Sequence, residues 1–242
     1  MRSARRVCIL ENDRLPEGLA PAGVRFADYY VRMLREADPA IACDIFHTPA
    51  GEYPEDFARY DAVMLTGSHA DAFADEPWVM ELRRRVTALI EARAKLVGIC
   101  FGHQVLGLCL GAPVGRAECG FTIGRVAYRW HGDGATVGAA GGYALLASHQ
   151  DQVKALPAGA TLLASSEACP VAGFTYGGHV LSLQPHPELD EAIVTNIVES
   201  RRDSLGERAD AALASMHEPH EGAAIGAMIA AFIRGEAARK AA

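Results

Sequence analysis

The 242-residue sequence has no CxxC pair, no HExxH, no long basic stretch and no apolar run of membrane-spanning length. Each absence removes a class of function. Without an apolar run of about 18 residues there is no transmembrane helix to predict. The basic start, Arg2 to Arg6, is followed by only four apolar residues before Glu11-Asn12-Asp13, far short of an export-signal core. A net charge of −7 and the lack of a basic track exclude a phosphate backbone as partner, and Arg83-Arg84-Arg85 falls in a helical pattern as a solvated face. The six cysteines, Cys8, Cys43, Cys100, Cys109, Cys119 and Cys169, show no regular spacing. With no export signal they read as reduced thiols in a cytoplasm, most of them small buried hydrophobes. His217-Glu218-Pro219-His220 has the wrong spacing for a metal helix, and Pro219 would break one. The glycines at Gly132, Gly134 and from Gly138 to Gly142 do not follow a strand in GxGxxG form, so no nucleotide cradle is expected. The reading calls for no metal and no cofactor.

What remains is a chain that is 50% apolar and 22% charged, enough for one packed α/β domain. Short apolar runs at Val7–Leu10, Ile41–Phe46, Ala62–Leu65 and Lys95–Ile99 predict strands. Between them, Phe26, Tyr30, Met33, Leu34 and Ala37 recur at helical spacing. A second helix opens at Asp75 and Pro77 and buries Val79, Leu82, Val86, Leu89 and Ile90. Gly102 to Leu110 is apolar nearly all round, as suits a helix buried against a sheet. Strands alternating with helices imply a mostly parallel central sheet flanked by helices. From Gly111 to about Gly142 the chain turns glycine-rich with β-like pieces (Phe121 to Trp130), an antiparallel excursion. Short strands return at Ala160–Ala164, Val171–Tyr176 and Val180–Leu183, and helices are predicted at Ala192–Arg201, Glu207–Met216 and Gly222–Phe232.

One cysteine stands apart. Gly98-Ile99-Cys100-Phe101-Gly102 has the G-x-nucleophile-x-G pattern at a strand–helix junction. A sharp turn there strains the nucleophile's backbone and lifts its side chain off the sheet, and the flanking glycines let the chain double back. The following helix offers its N-terminus to negative charge on the sulfur, and the Phe101 N–H is placed to serve an oxyanion. The competing reading is a core cysteine between two incidental turn glycines.

A second segment separates them. In Gln184-Pro185-His186-Pro187-Glu188 the prolines hold Gln184 and His186 extended, so His186 and Glu188 point the same way. A carboxylate beside an imidazole orients it and stabilises its cation, as a thiol–imidazole pair requires. His103 lacks such support and reads as a helix-start residue. His149 and Asp151 are equally readable as substrate or partner contacts and as a structural turn.

Taken with Gly98-Ile99-Cys100-Phe101-Gly102-His103-Gln104, the segment His186-Pro187-Glu188 resembles the class I (triad-type) glutamine amidotransferase family. Leu65-Thr66-Gly67-Ser68 resembles the family's second oxyanion loop, and Ser148 to Val153 is similar to a segment of the GMP synthase glutaminase domain. The likeness covers roughly Arg6 to Arg201. It implies a flavodoxin-like fold, a catalytic triad of Cys100, His186 and Glu188, an oxyanion hole from the N–H groups of Gly67 and Phe101, and substrate binding by Gln104. The substrate implied is glutamine or another γ-glutamyl amide, cleaved through a thioester on Cys100. Residues 1–202 would form the amidotransferase domain and 203–242 a C-terminal helical extension packed on it. Three functions stay open: a glutaminase feeding ammonia to a separate synthetase subunit, a stand-alone γ-glutamyl peptide hydrolase, and a non-catalytic binding or regulatory protein.

Overall fold

The computed structural model describes residues 5–131 and 142–236; the glycine run from Gly132 to Gly141 lies outside them. In chain order, the first half contains β1 (Arg5–Glu11), α1 (Phe26–Ala37), β2 (Ile41–His47), β3 (Ala62–Leu65), α2 (Pro77–Glu91), β4 (Leu96–Ile99) and α3 (Phe101–Cys109). The second half contains β5 (Val114–Arg116), β6 (Thr122–Trp130), β7 (Gly142–His149), β8 (Asp151–Val153), β9 (Ala160–Ser165), β10 (Gly173–Tyr176) and β11 (Val180–Leu183). Four helices close the chain: α4 (Glu191–Ser200), α5 (Arg202–Leu205), α6 (Arg208–Ser215) and α7 (Gly222–Arg234).

Nine strands form one sheet in the order β2-β1-β3-β4-β11-β10-β9-β6-β7. The pairs β1–β2, β1–β3, β3–β4 and β4–β11 are parallel. The antiparallel excursion is larger than its sequence suggests: β10, β9, β6 and β7 continue the same sheet, and only β5 and β8 pair apart. Strand β7 has no counterpart in the sequence reading. Its residues from Tyr143 to Ala147 are all buried, so the alternation that marks a half-exposed strand is missing.

The sheet divides the core in two. Val7 and Ile9 of β1 face a cluster shared with α1, α4 and α7, whereas Cys8 and Leu10 face α2 and α3. That is the period-two alternation of a strand covered on both sides. Helix α1 buries Phe26, Tyr30, Met33 and Leu34 on one stripe, and its start is tied by the Arg25 N–H donating to Asp28 (2.7 Å). Helix α7 lies against α1 so closely that a Cβ on Gly226 would come within 2.8 Å of Met33 Cγ. Ile225, Ile229 and Ile233 are fully buried there, each contributing roughly 2 kcal/mol. All six cysteines are free. No helix among the described residues is long and apolar enough to cross a membrane.

Candidate active site

The site lies at the carboxyl ends of β3, β4 and β11, where an open parallel sheet leaves a crevice. At the end of β4 the chain turns directly into α3, and Cys100 occupies the turn at φ 53°, ψ −107°. A left-handed φ in a non-glycine residue costs about 1–3 kcal/mol and persists only where its surroundings enforce it. They do so here through close packing. A Cβ on Gly98 would lie 2.6 Å from the Gly102 carbonyl oxygen, and one on Gly102 would lie 2.6 Å from the Leu65 oxygen. The turn is pinned by the Cys100 N–H donating to the Leu183 carbonyl (2.9 Å) and the Gly102 N–H donating to that of Thr66 (3.2 Å). Phe101, as the first residue of α3, has an N–H with no acceptor inside the helix.

His186 is held to β7 by its N–H, which donates to the Leu146 carbonyl (2.8 Å). Its Nδ1 lies 2.6 Å from Glu188 Oε1, so the proton on Nδ1 points at a carboxylate and Nε2 is left over, in a residue that lines the same cavity as Cys100. Burial alone would lower the imidazole's pKa. Glu188 and Cys100 outweigh it and hold the imidazolium well above its ordinary range. The structure therefore places Cys100 and His186 on one cavity, with Glu188 hydrogen-bonded to the His186 ring.

Two of the expected site residues are engaged by neighbouring groups. The Gly67 N–H is committed: it donates to the Tyr30 hydroxyl at 2.8 Å. Gly67 instead supplies room, since a Cβ there would meet His186 Cε1 at 3.1 Å. The next amide along, Ser68, belongs to a residue that lines the cavity holding Cys100. Gln104 also reaches that cavity, but its amide nitrogen is spent on the Asp151 carbonyl (2.9 Å) and Gln184 Oε1 (3.1 Å). It ties α3 to β8 and β11 rather than presenting free donors.

The remaining histidines fall into place by burial. His103 is fully buried between Ser182 Oγ and the Val171 carbonyl, and desolvation pushes it down to about 3. His149 is pushed down to about 4, by burial first and by His186 second, and bonds the Asp151 carbonyl (3.1 Å). Neither carries charge near neutrality. His217 to His220 form the turn between α6 and α7, where the Pro219 carbonyl accepts from Arg125 (2.7 Å).

Several residues at the cavity carried no sequence signal. Asp13 accepts from the His69 N–H (2.6 Å) and Ser68 Oγ (3.2 Å) at its mouth. Arg116 bridges Asp71 (2.8 Å) and the cavity-lining Asp151 (2.6 Å). Phe26, Phe121, Leu189, Ile193, Ile197 and Arg201 line the cavity as well, the Arg201 guanidinium 4.8 Å from the Phe121 ring centroid. These residues lie far from Cys100 in sequence, and only their meeting in space marks them.

A family model described as glutamine amidotransferase class-I matches residues 22–193. Gamma-glutamyl peptidase 5 of Arabidopsis thaliana is 37% identical over 164 residues, 64% of this chain and 65% of its own length. Gamma-glutamyl peptidase 3 of the same plant is 36% identical over 165 residues, 64% of this chain and 66% of its own length. The chain thus spans just under two thirds of these curated relatives. Among solved structures, a glutamine amidotransferase from Thermotoga maritima superposes with a TM-score of 0.76 at 22% identity, covering 96% of this chain and 99% of that one. At that identity the superposition speaks for the fold.

Proposed function

Because the chain belongs to the class-I glutamine amidotransferase family, we propose that it hydrolyses γ-glutamyl amides through a thioester on Cys100. The observation that carries this reading is the strained elbow at Cys100 opening into the same cavity as His186, whose far nitrogen is braced by Glu188. With the Cys100 proton held by His186, the sulfur attacks the γ-carboxamide carbon. The tetrahedral oxyanion is served by the N–H groups of Phe101 and Ser68, the latter in place of Gly67. His186 returns the proton to the departing amine, leaving the γ-glutamyl thioester. Water, deprotonated by His186, then attacks the thioester carbonyl, glutamate leaves, and the thiol regains its proton. Residues 1–202 supply every group in this scheme.

The size of the amine is argued from the cavity wall. Ammonia, the leaving group of glutamine, makes no use of Phe26, Phe121, Leu189, Ile193 and Ile197, whereas the side chain of an amino acid does. Arg201 on that wall has no carboxylate partner among the described residues and suits a peptide's terminal carboxylate. The naming of the Arabidopsis relatives as γ-glutamyl peptidases supports the same choice. We therefore favour a stand-alone γ-glutamyl peptide hydrolase over a glutaminase that passes ammonia to a separate synthetase subunit.

Purified protein assayed on γ-glutamyl dipeptides with an apolar second residue and on glutamine should show kcat/KM about tenfold or more higher for the dipeptides. Equal or better turnover of glutamine, or activity that arises only with a co-expressed subunit, would sink the peptidase reading. Arg201→Ala should raise KM for the dipeptides about tenfold, the loss of one charge-assisted hydrogen bond, while leaving the glutamine KM unchanged. A matching rise for glutamine would show that Arg201 does not read the leaving group.

A further inference from the structure

Tyr30 has no part in the scheme above, yet it is the largest polar side chain sealed in the core beside the site. It sits on α1 with no exposure to solvent and packs edge-on against Phe26, their ring centroids 5.4 Å apart. Its hydroxyl accepts the Gly67 N–H at 2.8 Å. That leaves the phenol's own proton to be placed, in a region closed to water.

Glu188 presents the complementary need. Its side chain is fully buried; Oε1 takes the His186 ring at 2.6 Å, while Oε2 is buried and makes no direct hydrogen bond. A buried carboxylate oxygen without a donor is costly. The phenol of Tyr30 neighbours that carboxylate: burial first, and the negative charge of Glu188 second, drive its titration well upward, which keeps it a proton donor.

We propose that Tyr30 is a positioning residue whose hydroxyl accepts from Gly67 and donates to Glu188 Oε2, locking the third member of the triad to the loop beneath the substrate. The proposal rests on the Cys100-His186-Glu188 reading. Through it one side chain on α1 sets two things together: the rotamer of Glu188, and the distance between the Gly67-Ser68 backbone and the His186 ring, which a Cβ on Gly67 would approach to 3.1 Å. Without the hydroxyl, nothing holds Oε2 in place; Glu188 turns away, and the imidazolium loses its counter-charge.

The test uses the full chain and needs no knowledge of the natural substrate. Iodoacetamide alkylation at Cys100, followed by peptide mass spectrometry across pH, reports thiolate held by His186. Tyr30→Phe, which keeps the ring, should shift the midpoint of that profile and slow alkylation at mildly acidic pH about tenfold. In a Glu188→Gln background the same change should alter the rate less than about twofold, because the two residues act through one bond. On dipeptide substrates kcat should fall with KM little changed. An unmoved midpoint in a folded Tyr30→Phe protein, with the wild-type profile still dependent on Glu188, overturns the proposal and leaves the triad standing. A wild-type profile indifferent to Glu188→Gln and His186→Ala overturns the triad and the proposal with it. Should Tyr30→Phe not fold, 3,5-difluorotyrosine at position 30 decides: a more acidic phenol is a stronger donor and must shift the midpoint, and no shift refutes the role.

Discussion

Cys100→Ala is expected to reduce γ-glutamyl amide hydrolysis by about 10⁴-fold or more, with no γ-glutamyl adduct detectable on the protein by mass spectrometry. The scheme has one covalent acceptor, and removing it leaves His186 with no nucleophile to activate. The loss should come without unfolding. Sγ is a small part of the buried volume, and its nearest backbone acceptor, the Ser148 carbonyl, is 4.0 Å away, a weak contact. Alanine keeps a Cβ at φ 53° and therefore keeps the strain. Cys100→Gly removes it, so that variant should be equally inactive and more stable by about 1–2 kcal/mol. Thermal melts of the two variants beside wild type separate the contributions: equal melting of alanine and glycine variants would mean that the elbow stores no strain. Hydrolysis surviving in either would mean that Cys100 is not the nucleophile.

Gly102→Ala should be strongly damaging for so small a substitution. Its Cβ would stand 2.6 Å from both Cβ and the carbonyl oxygen of Leu65 and 3.0 Å from the Leu65 carbonyl carbon. Two of those atoms are backbone at the end of β3, in a strand paired on both sides, so neither side can yield. Overpacking of this kind costs about 3 kcal/mol, which for a chain of this length lowers the melting temperature by roughly 6–12 °C. Activity should fall further than stability does. Displacing α3 from β3 moves the Phe101 N–H and the Gly67-Ser68 backbone apart, the two sides between which an oxyanion must fit. Gly115→Ala is the control: nothing lies within 4 Å of its Cβ, and its melt should match wild type. If Gly102→Ala melts with the control, the elbow is looser than its contacts imply.

These outcomes trace back to features of different legibility. Gly98 and Gly102 could be read directly because the constraint acts between residues close in the chain: a tight turn admits no side chain two places before or after its apex. The same holds for His186 and Glu188, whose orientation follows from flanking prolines and the two-residue period of extended backbone. Burial of both faces hid β7, since a strand without alternation looks like any apolar run. Tyr30 was hidden in another way. In the stripe Phe26-Tyr30-Met33-Leu34 it reads as core, and it is core; nothing along α1 reveals that its hydroxyl meets the Gly67 N–H.

Gly67 poses the converse case. A glycine after a strand invites an oxyanion role, but which of two consecutive amides faces the cavity depends on what stands behind the loop, and Tyr30 stands there. Gln104 shows the same dependence, its donors drawn off by Asp151 and Gln184 from two other strands. The sequence by itself determined the family, the parallel core of the sheet, and a cysteine, histidine and glutamate suited to act together, because each is written in spacings of a few residues governed by backbone sterics. Only the tertiary structure decided what the Gly67 N–H and the Gln104 amide bond to, and which residues line the cavity. Those depend on side chains that meet across dozens of residues of chain, where register and helix packing, not local pattern, set the distances.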